Sequence, residues 1–172
     1  MQNFLERSDQ LPERLESERL ALELVSVQWL DEIMAEIRGN VARYFLNFTD
    51  KNELQTWINE NRRLFGRGEK LEMVMLRKTD GEFLGMVSIR NIGIAPEIGV
   101  WVKVSAQGQG LAKEALDGLL GWYRIKHGVQ EKVKYVVEKG NSGSIGLAQK
   151  MGMKYQQDIA DQNQIVYQEF LI

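Results

Sequence analysis

The sequence predicts an α+β fold, a mostly antiparallel, twisted sheet of about seven strands crossed by four or so helices. Three observations predict it. A strand, a two-glycine loop and an amphipathic helix follow one another between Glu97 and Tyr123. Asp80-Gly81 separates two β-rich runs, which marks a hairpin. Beyond the central helix the chain offers a strand, a capped helix and two further strands. The strands at Ile98–Val104 and Lys132–Glu138 flank the central helix, so they form the parallel contact, through a right-handed crossover.

Taken in order, Met1 to Ser17 is polar and charged and reads as a loose arm or a short cover, with residues 1–13 the arm. Leu20, Leu22 and Leu24 alternate within a first strand from Arg19 to Val25. Ser26 is placed to cap a helix carrying Trp29, Leu30, Ile33, Met34 and Ile37, which Gly39 can close. Thr49 or Asp50 caps a second helix through Leu54, Trp57, Ile58 and Leu64, ended by Gly66 and Gly68. Tyr44, Phe45 and Phe48 lie between the two helices, where aromatic residues pack a core or line a pocket. Glu69–Arg77 and Phe83–Ile92 are the hairpin strands. Ala112, Ala115, Leu116, Leu119 and Tyr123 recur at helical spacing, and His127-Gly128 ends that helix. Asn141 caps the next helix, whose buried side is Ile145, Ala148 and Met151, and Gly152 stops it. Met153–Gln157 and Gln164–Ile172 are the last strands. No repeat or low-complexity stretch interrupts this order, and one domain spans 1–172.

Composition excludes several classes of chemistry. The 172 residues contain no cysteine and one histidine, His127. A disulfide, a thiolate metal ligand, a cysteine nucleophile and an acyl-cysteine route are therefore excluded, and neither a histidine triad nor a zinc site is expected. The net charge is −2, with no long basic run, so no nucleic-acid partner is expected. No apolar run is long enough to span a membrane and the N-terminus lacks an apolar signal core, so a cytoplasmic protein is expected. It is expected to be a monomer or a homodimer.

The stretch Gln107-Gly108-Gln109-Gly110 precedes the central helix directly. The first amides of a helix have no intrahelical partner, and the helix dipole adds partial positive charge there. Glycines let the backbone approach a ligand closely. Together these make an anion site suited to phosphate, although a plain tight turn has the same composition. The dinucleotide fingerprint would need a third glycine where Lys113 stands, and the nucleotide-triphosphate loop is absent.

Gln107-Gly108-Gln109-Gly110-Leu111-Ala112 matches the Gln/Arg-x-x-Gly-x-Gly/Ala pyrophosphate loop of the GNAT N-acetyltransferases, and the chain resembles that family. Glu97-Ile98-Gly99-Val100-Trp101-Val102 resembles its fourth strand. Asn141-Ser142-Gly143-Ser144, with Lys150-Met151-Gly152-Met153 closing the helix, is similar to the Asn-x-x-Ser…Gly-Phe block of the branch that holds ribosomal-protein N-terminal acetyltransferases and many small-amine acetyltransferases. The resemblance runs from about Arg14 to Leu171. It implies a GNAT-like sheet whose strands 4 and 5 splay apart, and acetyl-CoA as cosubstrate with no metal. It places the cofactor's pantetheine arm along Trp101, Val102 and Lys103 and its diphosphate on Gln107 to Ala112. Lys113 is the side chain available to help neutralise a phosphate, or else a solvated lysine. Asn141 serves as helix cap and cofactor hydrogen-bond partner.

The chemistry so implied is direct attack of an amine on a thioester in a ternary complex. The amine must lose a proton and the departing thiolate gains one. Glu97, where the resembled branch often has an acid, is the candidate base, acting through water; a solvated strand-end carboxylate is the alternative. Ser144 is the candidate thiolate partner; helix capping is the alternative. Many GNAT enzymes place a tyrosine acid seven residues after this asparagine, where this chain has Ala148, so a tyrosine mechanism at that position is excluded. Three functions stay open: acetylation of a peptide or protein N-terminus, acetylation of a small amine such as a polyamine, and CoA binding without turnover. A polyamine site would need carboxylates, for which Glu32, Glu36, Asp50 and Glu53 on the early helices are candidates.

Overall fold

The structure is a computed structural model, which describes residues 11–37, 48–128 and 130–172. The described residues form one sheet of eight strands. They are β1 (Arg14–Glu16), β2 (Leu20–Leu24), β3 (Lys70–Arg77), β4 (Phe83–Arg90), β5 (Glu97–Val102), β6 (Lys134–Glu138), β7 (Lys154–Ala160) and β8 (Val166–Leu171). Their spatial order is β1-β2-β3-β4-β5-β6-β8-β7. Every neighbouring pair is antiparallel except β5 and β6. The helices are α1 (Leu30–Ile37), α2 (Lys51–Gly66), α3 (Leu111–His127) and α4 (Ser142–Lys150).

Strand alternation divides the core into two layers. Leu20, Leu22, Leu24, Met73, Met75, Val87, Ile89 and Ile98 point to the face covered by α3, where they meet Leu111, Ala115, Leu116, Leu119, Leu120 and Tyr123. Ala21, Val74, Leu76 and Met86 point to the other face, where they meet Ile33, Met34 and Ile37 of α1 and Leu54 and Ile58 of α2. The α3 positions recur every three or four residues, so one stripe of that helix is apolar.

β5 and β6 pair only at Glu97↔Lys134 and Ile98↔Tyr135, although β5 continues to Val102 and β6 to Glu138. The two strands therefore part toward their C-terminal ends, which is the expected splay. α3 is the crossover between them and starts at the open end.

The hairpin and the caps form as expected. Asp80 stands in the β3–β4 turn and accepts from the Glu82 N–H at 3.0 Å. Asp50 caps α2, accepting from the Asn52 and Glu53 amides at 2.7 and 3.0 Å. The Gly128 N–H donates to Arg124 O at 2.9 Å and ends α3. Asn141 caps α4 through its side chain.

Other elements differ. Arg14–Glu16, read as part of an arm or cover, is an edge strand paired to β2, and Leu11 just before it is buried. Ser26 makes no side-chain cap, because a 3-10 turn at Val27–Trp29 intervenes before α1. β5 stops at Val102, and Val104 begins a second 3-10 turn whose last residue, Ala106, is buried. β7 runs on to Ala160 as the outer edge of the sheet, all seven residues exposed, with a register shift between Tyr155 and Gln157. Within α4 only Ala148 is buried, while Ile145 and Met151 are half-buried against the core. Phe48 packs edge-on to Trp57 with ring centroids 5.6 Å apart. Gly39, Tyr44 and Phe45 lie outside the described residues.

Candidate active site

The loop from Gln107 to Gly110 joins the open end of β5 to α3. Gln107 Nε2 donates to Val102 O at 3.0 Å, which ties the loop back to the strand. Gly110 caps α3 with φ 78° and ψ 4°, a left-handed conformation that favours glycine. Its carbonyl accepts from Glu114 N at 3.1 Å, the first bond of the helix. The amides of Gly108, Gln109, Gly110, Leu111, Ala112 and Lys113 have no hydrogen-bond partner among the described residues. An exposed loop and a helix start thus present a run of free donors at the mouth of the β5–β6 gap.

The wall of that gap follows from the ladder. Lys103 N donates to Leu84 O at 2.9 Å, so the backbone at Lys103 faces β4. By the alternation of an antiparallel pair, the backbone groups of Trp101 and Gly99 face β4 as well, and those of Ile98, Val100 and Val102 face β6. Ile98 is used by β6, and Val102 O is taken by Gln107. Val100 and Val102 therefore carry the main chain that borders the gap, and Val100 is a position that the sequence reading did not single out. Of the three strand residues placed along the cofactor arm, Val102 turns its backbone toward the gap. Trp101 turns its backbone to β4 and its ring to the α1–α2 layer, against Phe83 at 5.8 Å. Lys103 turns its ammonium to Glu82.

Lys113 is exposed and paired with Asp117 at 2.6 Å, one turn further along α3. An exposed pair at this spacing contributes only about 0.3–0.5 kcal/mol. The cation held against the loop is instead Arg19, at the start of β2. Its Nη1 donates to Gln109 O at 3.1 Å and its Nε to Glu114 Oε2 at 2.7 Å. Its backbone N–H and the Ser17 hydroxyl donate to Glu114 Oε1, each at 2.7 Å. Burial alone would raise the Glu114 carboxyl; the hydrogen bonds from Ser17 and Arg19, with the guanidinium charge, outweigh it and hold the carboxyl below its ordinary value.

That shift has a consequence for stability. A carboxyl with a lowered folded-state pKa stabilises the fold above its unfolded value, about 4.3, and loses that contribution as the pH falls through the folded value. Glu114→Gln is expected to lower stability by about 1–3 kcal/mol at pH 7. The gap between wild type and variant should close as the pH is taken below the ordinary carboxylate range. Thermal melts of both proteins across that range measure it.

On the α4 side, Asn141 Oδ1 accepts from Ser144 N at 3.1 Å. The Ser144 hydroxyl lies near the phenol of Tyr135, a buried residue on the last paired rung between β5 and β6. Burial raises the Tyr135 phenol, and the neighbouring Ser144 hydroxyl offsets part of that rise. A hydroxyl pair therefore stands where the strands begin to part.

Glu97 sits on the first of the two rungs that join β5 to β6, with its side chain 16% exposed and paired with Arg90 of β4. By strand alternation it projects to the same face as Trp101, opposite α3. Two buried carboxylates share that face. Glu72 pairs with Lys70 at 2.9 Å and Glu169 with Lys134 at 3.0 Å. Burial pushes the Glu72 carboxyl up, against the pull of Lys70 and Arg90. Neither residue carried a sequence signal, since a lone Glu inside a strand run reads as a solvated position. Of the four candidate polyamine carboxylates, two are engaged, Asp50 capping α2 and Glu53 accepting from Thr49 N at 2.8 Å, while Glu32 is exposed and Glu36 half-buried on α1.

An open sheet with one splayed parallel pair, and free amides at the start of the helix that crosses it, make a groove with an anion site at its mouth. Residues 19–154 match the acetyltransferase (GNAT) domain model. The chain belongs to the GNAT acetyltransferase family, and it is an N-acetyltransferase. It is similar to the uncharacterized Bacillus subtilis protein YkkB, 31% identical over 134 residues that cover 72% of this chain and 74% of that one. Its fold is similar to that of the ribosomal-protein alpha-N acetyltransferase RimL in complex with coenzyme A, with a TM-score of 0.82 at 17% identity, covering 93% of this chain and 97% of that chain. It is also similar to the Salmonella typhimurium acetyl transferase that modifies the N-terminal serine of a 50S ribosomal subunit protein, with a TM-score of 0.80 at 18% identity, covering 91% and 95%. No helix among the described residues is long and apolar enough to cross a membrane.

Proposed function

We propose that the protein transfers the acetyl group of acetyl-CoA to a primary amine, and that this amine is the N-terminus of a protein or peptide. The observation that carries the first half is the run of free amides from Gly108 to Lys113 at the open end of the β5–β6 gap. Such donors, backed by the α3 dipole, suit a diphosphate. The main chain of Val100 and Val102 suits the amides of an extended arm lying in the gap. The cosubstrate, when bound, supplies an activated acyl group as a thioester.

The chain's own residues supply the proton chemistry. Glu97 accepts the proton of the incoming ammonium, through water. The Ser144 hydroxyl is the proton donor at the other side of the gap. The likeness of the fold to RimL supports a protein N-terminus as acceptor.

Acetyl-CoA at 100 times its dissociation constant is expected to stabilise the fold by about 2.7 kcal/mol, a rise of roughly 5–10 °C in Tm for a chain of this size. A melt that does not move at millimolar acetyl-CoA overturns the reading. A turnover screen that pairs acetyl-CoA with short peptides of varied first residue, and with a panel of small amines, then decides the acceptor. Acetylation of polyamines but of no peptide would overturn the N-terminal assignment.

A further inference from the structure

We infer that Arg19 is a positioning residue of the diphosphate site, acting through the peptide that joins Gln109 to Gly110. The inference rests on the acetyl-CoA reading above. In a trans peptide the carbonyl and the following N–H point in opposite directions. Every peptide bond among the described residues is trans. Arg19 Nη1 holds Gln109 O at 3.1 Å, so the Gly110 N–H is turned away from Arg19 and outward from the packed side of the loop. A loop with two glycines has little intrinsic preference for one orientation of that peptide over its flip. Arg19 supplies the preference.

The guanidinium is itself held in place. Its Nε and its backbone N–H both bond Glu114, and Ser17 completes that carboxylate's shell. Glu114 lies in the first turn of α3, where a free carboxylate would compete with a phosphate for the positive end of the helix. Arg19 removes that competition by pairing with it, at a side-chain exposure of 16% for the carboxylate. The same cation thus fixes one donor and cancels one opposing charge. A Cβ built on Gly110 would meet Arg19 Nη2 at 3.8 Å, so the guanidinium lies beside the loop and leaves its mouth open.

Two probes separate this role from general support of the fold. CoA carries the diphosphate, and S-acetylpantetheine carries only the arm and the thioester. Calorimetric titration of Arg19→Met is expected to show CoA affinity reduced by about tenfold or more, with S-acetylpantetheine affinity within about twofold of wild type. Arg19→Lys keeps the charge but cannot bond Gln109 O and Glu114 together in one planar fork, so it is expected to lose most of the same affinity. Should Arg19→Met fold poorly, the amide resonance of Gly110 gives a second measure in Arg19→Lys. CoA should shift it strongly in wild type and much less in the variant.

Equal losses for both probes would make Arg19 a scaffold residue and overturn the inference. So would wild-type CoA affinity in Arg19→Lys, which would make it a point charge, and so would no loss in either variant. A wild-type protein that binds S-acetylpantetheine and CoA equally would remove the diphosphate site itself. A wild-type protein that binds neither would overturn the acetyl-CoA reading, and this inference with it.

Discussion

Gly85→Ala is expected to destabilise the protein by about 4 kcal/mol or more, a loss that belongs to the extreme tail of single substitutions. Gly85 lies in β4 with φ 143°, a backbone region closed to residues that carry a Cβ. A Cβ there would stand 2.2 Å from Trp101 O, 2.8 Å from Met75 Cε and 2.9 Å from Val102 Cα. Met75 can swing aside. The other two atoms are main chain of β5, the neighbouring strand, and can yield only if β4 and β5 separate. They would separate where Gly85 faces Val102, one residue before Lys103 N bonds Leu84 O and a few before the glycine loop. The defect therefore reaches the glycine loop as well as the core. At 2–4 °C per kcal/mol the expected drop in Tm is about 10 °C or more, read by circular dichroism, with a fall in the yield of folded protein. A variant that melts within about 2 °C of wild type would mean that β4 and β5 are not this close.

The legible parts of this chain were those in which neighbouring residues settle the matter. The Asp80-Gly81 hairpin, the Asp50 and Asn141 caps, the glycine loop and the apolar stripe of α3 all depend on residues within one or two turns of each other. The parting of β5 and β6 was legible only through the family resemblance, since nothing in Glu97–Val102 announces which of its backbone groups go unpaired. Where reading failed, the cause was a partner far along the chain. Arg19 and Glu114 are 95 positions apart, so Arg19 read as the first residue of a strand and Glu114 as a polar spacer on a helix. Trp101 and Lys103 were placed along the cofactor arm, but which edge a strand residue offers depends on its register with β4. That register assigns the gap to Val100 and Val102. Arg14–Glu16 is too short and too polar to show as a strand without β2 beside it. Tyr135 shows the same limit: it reads as an ordinary strand aromatic until α4 brings Ser144 against it.

Glu97→Gln is expected to lower kcat by about 10²- to 10⁴-fold while leaving the affinity for acetyl-CoA nearly unchanged. The split follows from position. Glu97 stands at the joined end of β5 and β6, and the free amides stand beyond the parted end. Five residues of strand separate Glu97 from Val102, about 17 Å at 3.3–3.4 Å per residue. A side chain at Glu97 cannot touch a diphosphate held at Gly108 to Lys113, so its loss should not weaken that anchor. Glutamine keeps the size of the side chain and an oxygen that can accept from Arg90, so the β4–β5 ladder should survive. What glutamine lacks is the capacity to take a proton. The test is a pair of measurements on each variant, steady-state kcat and calorimetric acetyl-CoA affinity, with Glu97→Asp as the control. Aspartate restores the proton acceptor one methylene short, so it should recover part of the rate if the group acts through water. An unchanged kcat in Glu97→Gln would make the residue a structural partner of Arg90. Equal losses in the glutamine and aspartate variants would say that the carboxylate must also stand at its native reach, and would count against transfer through water.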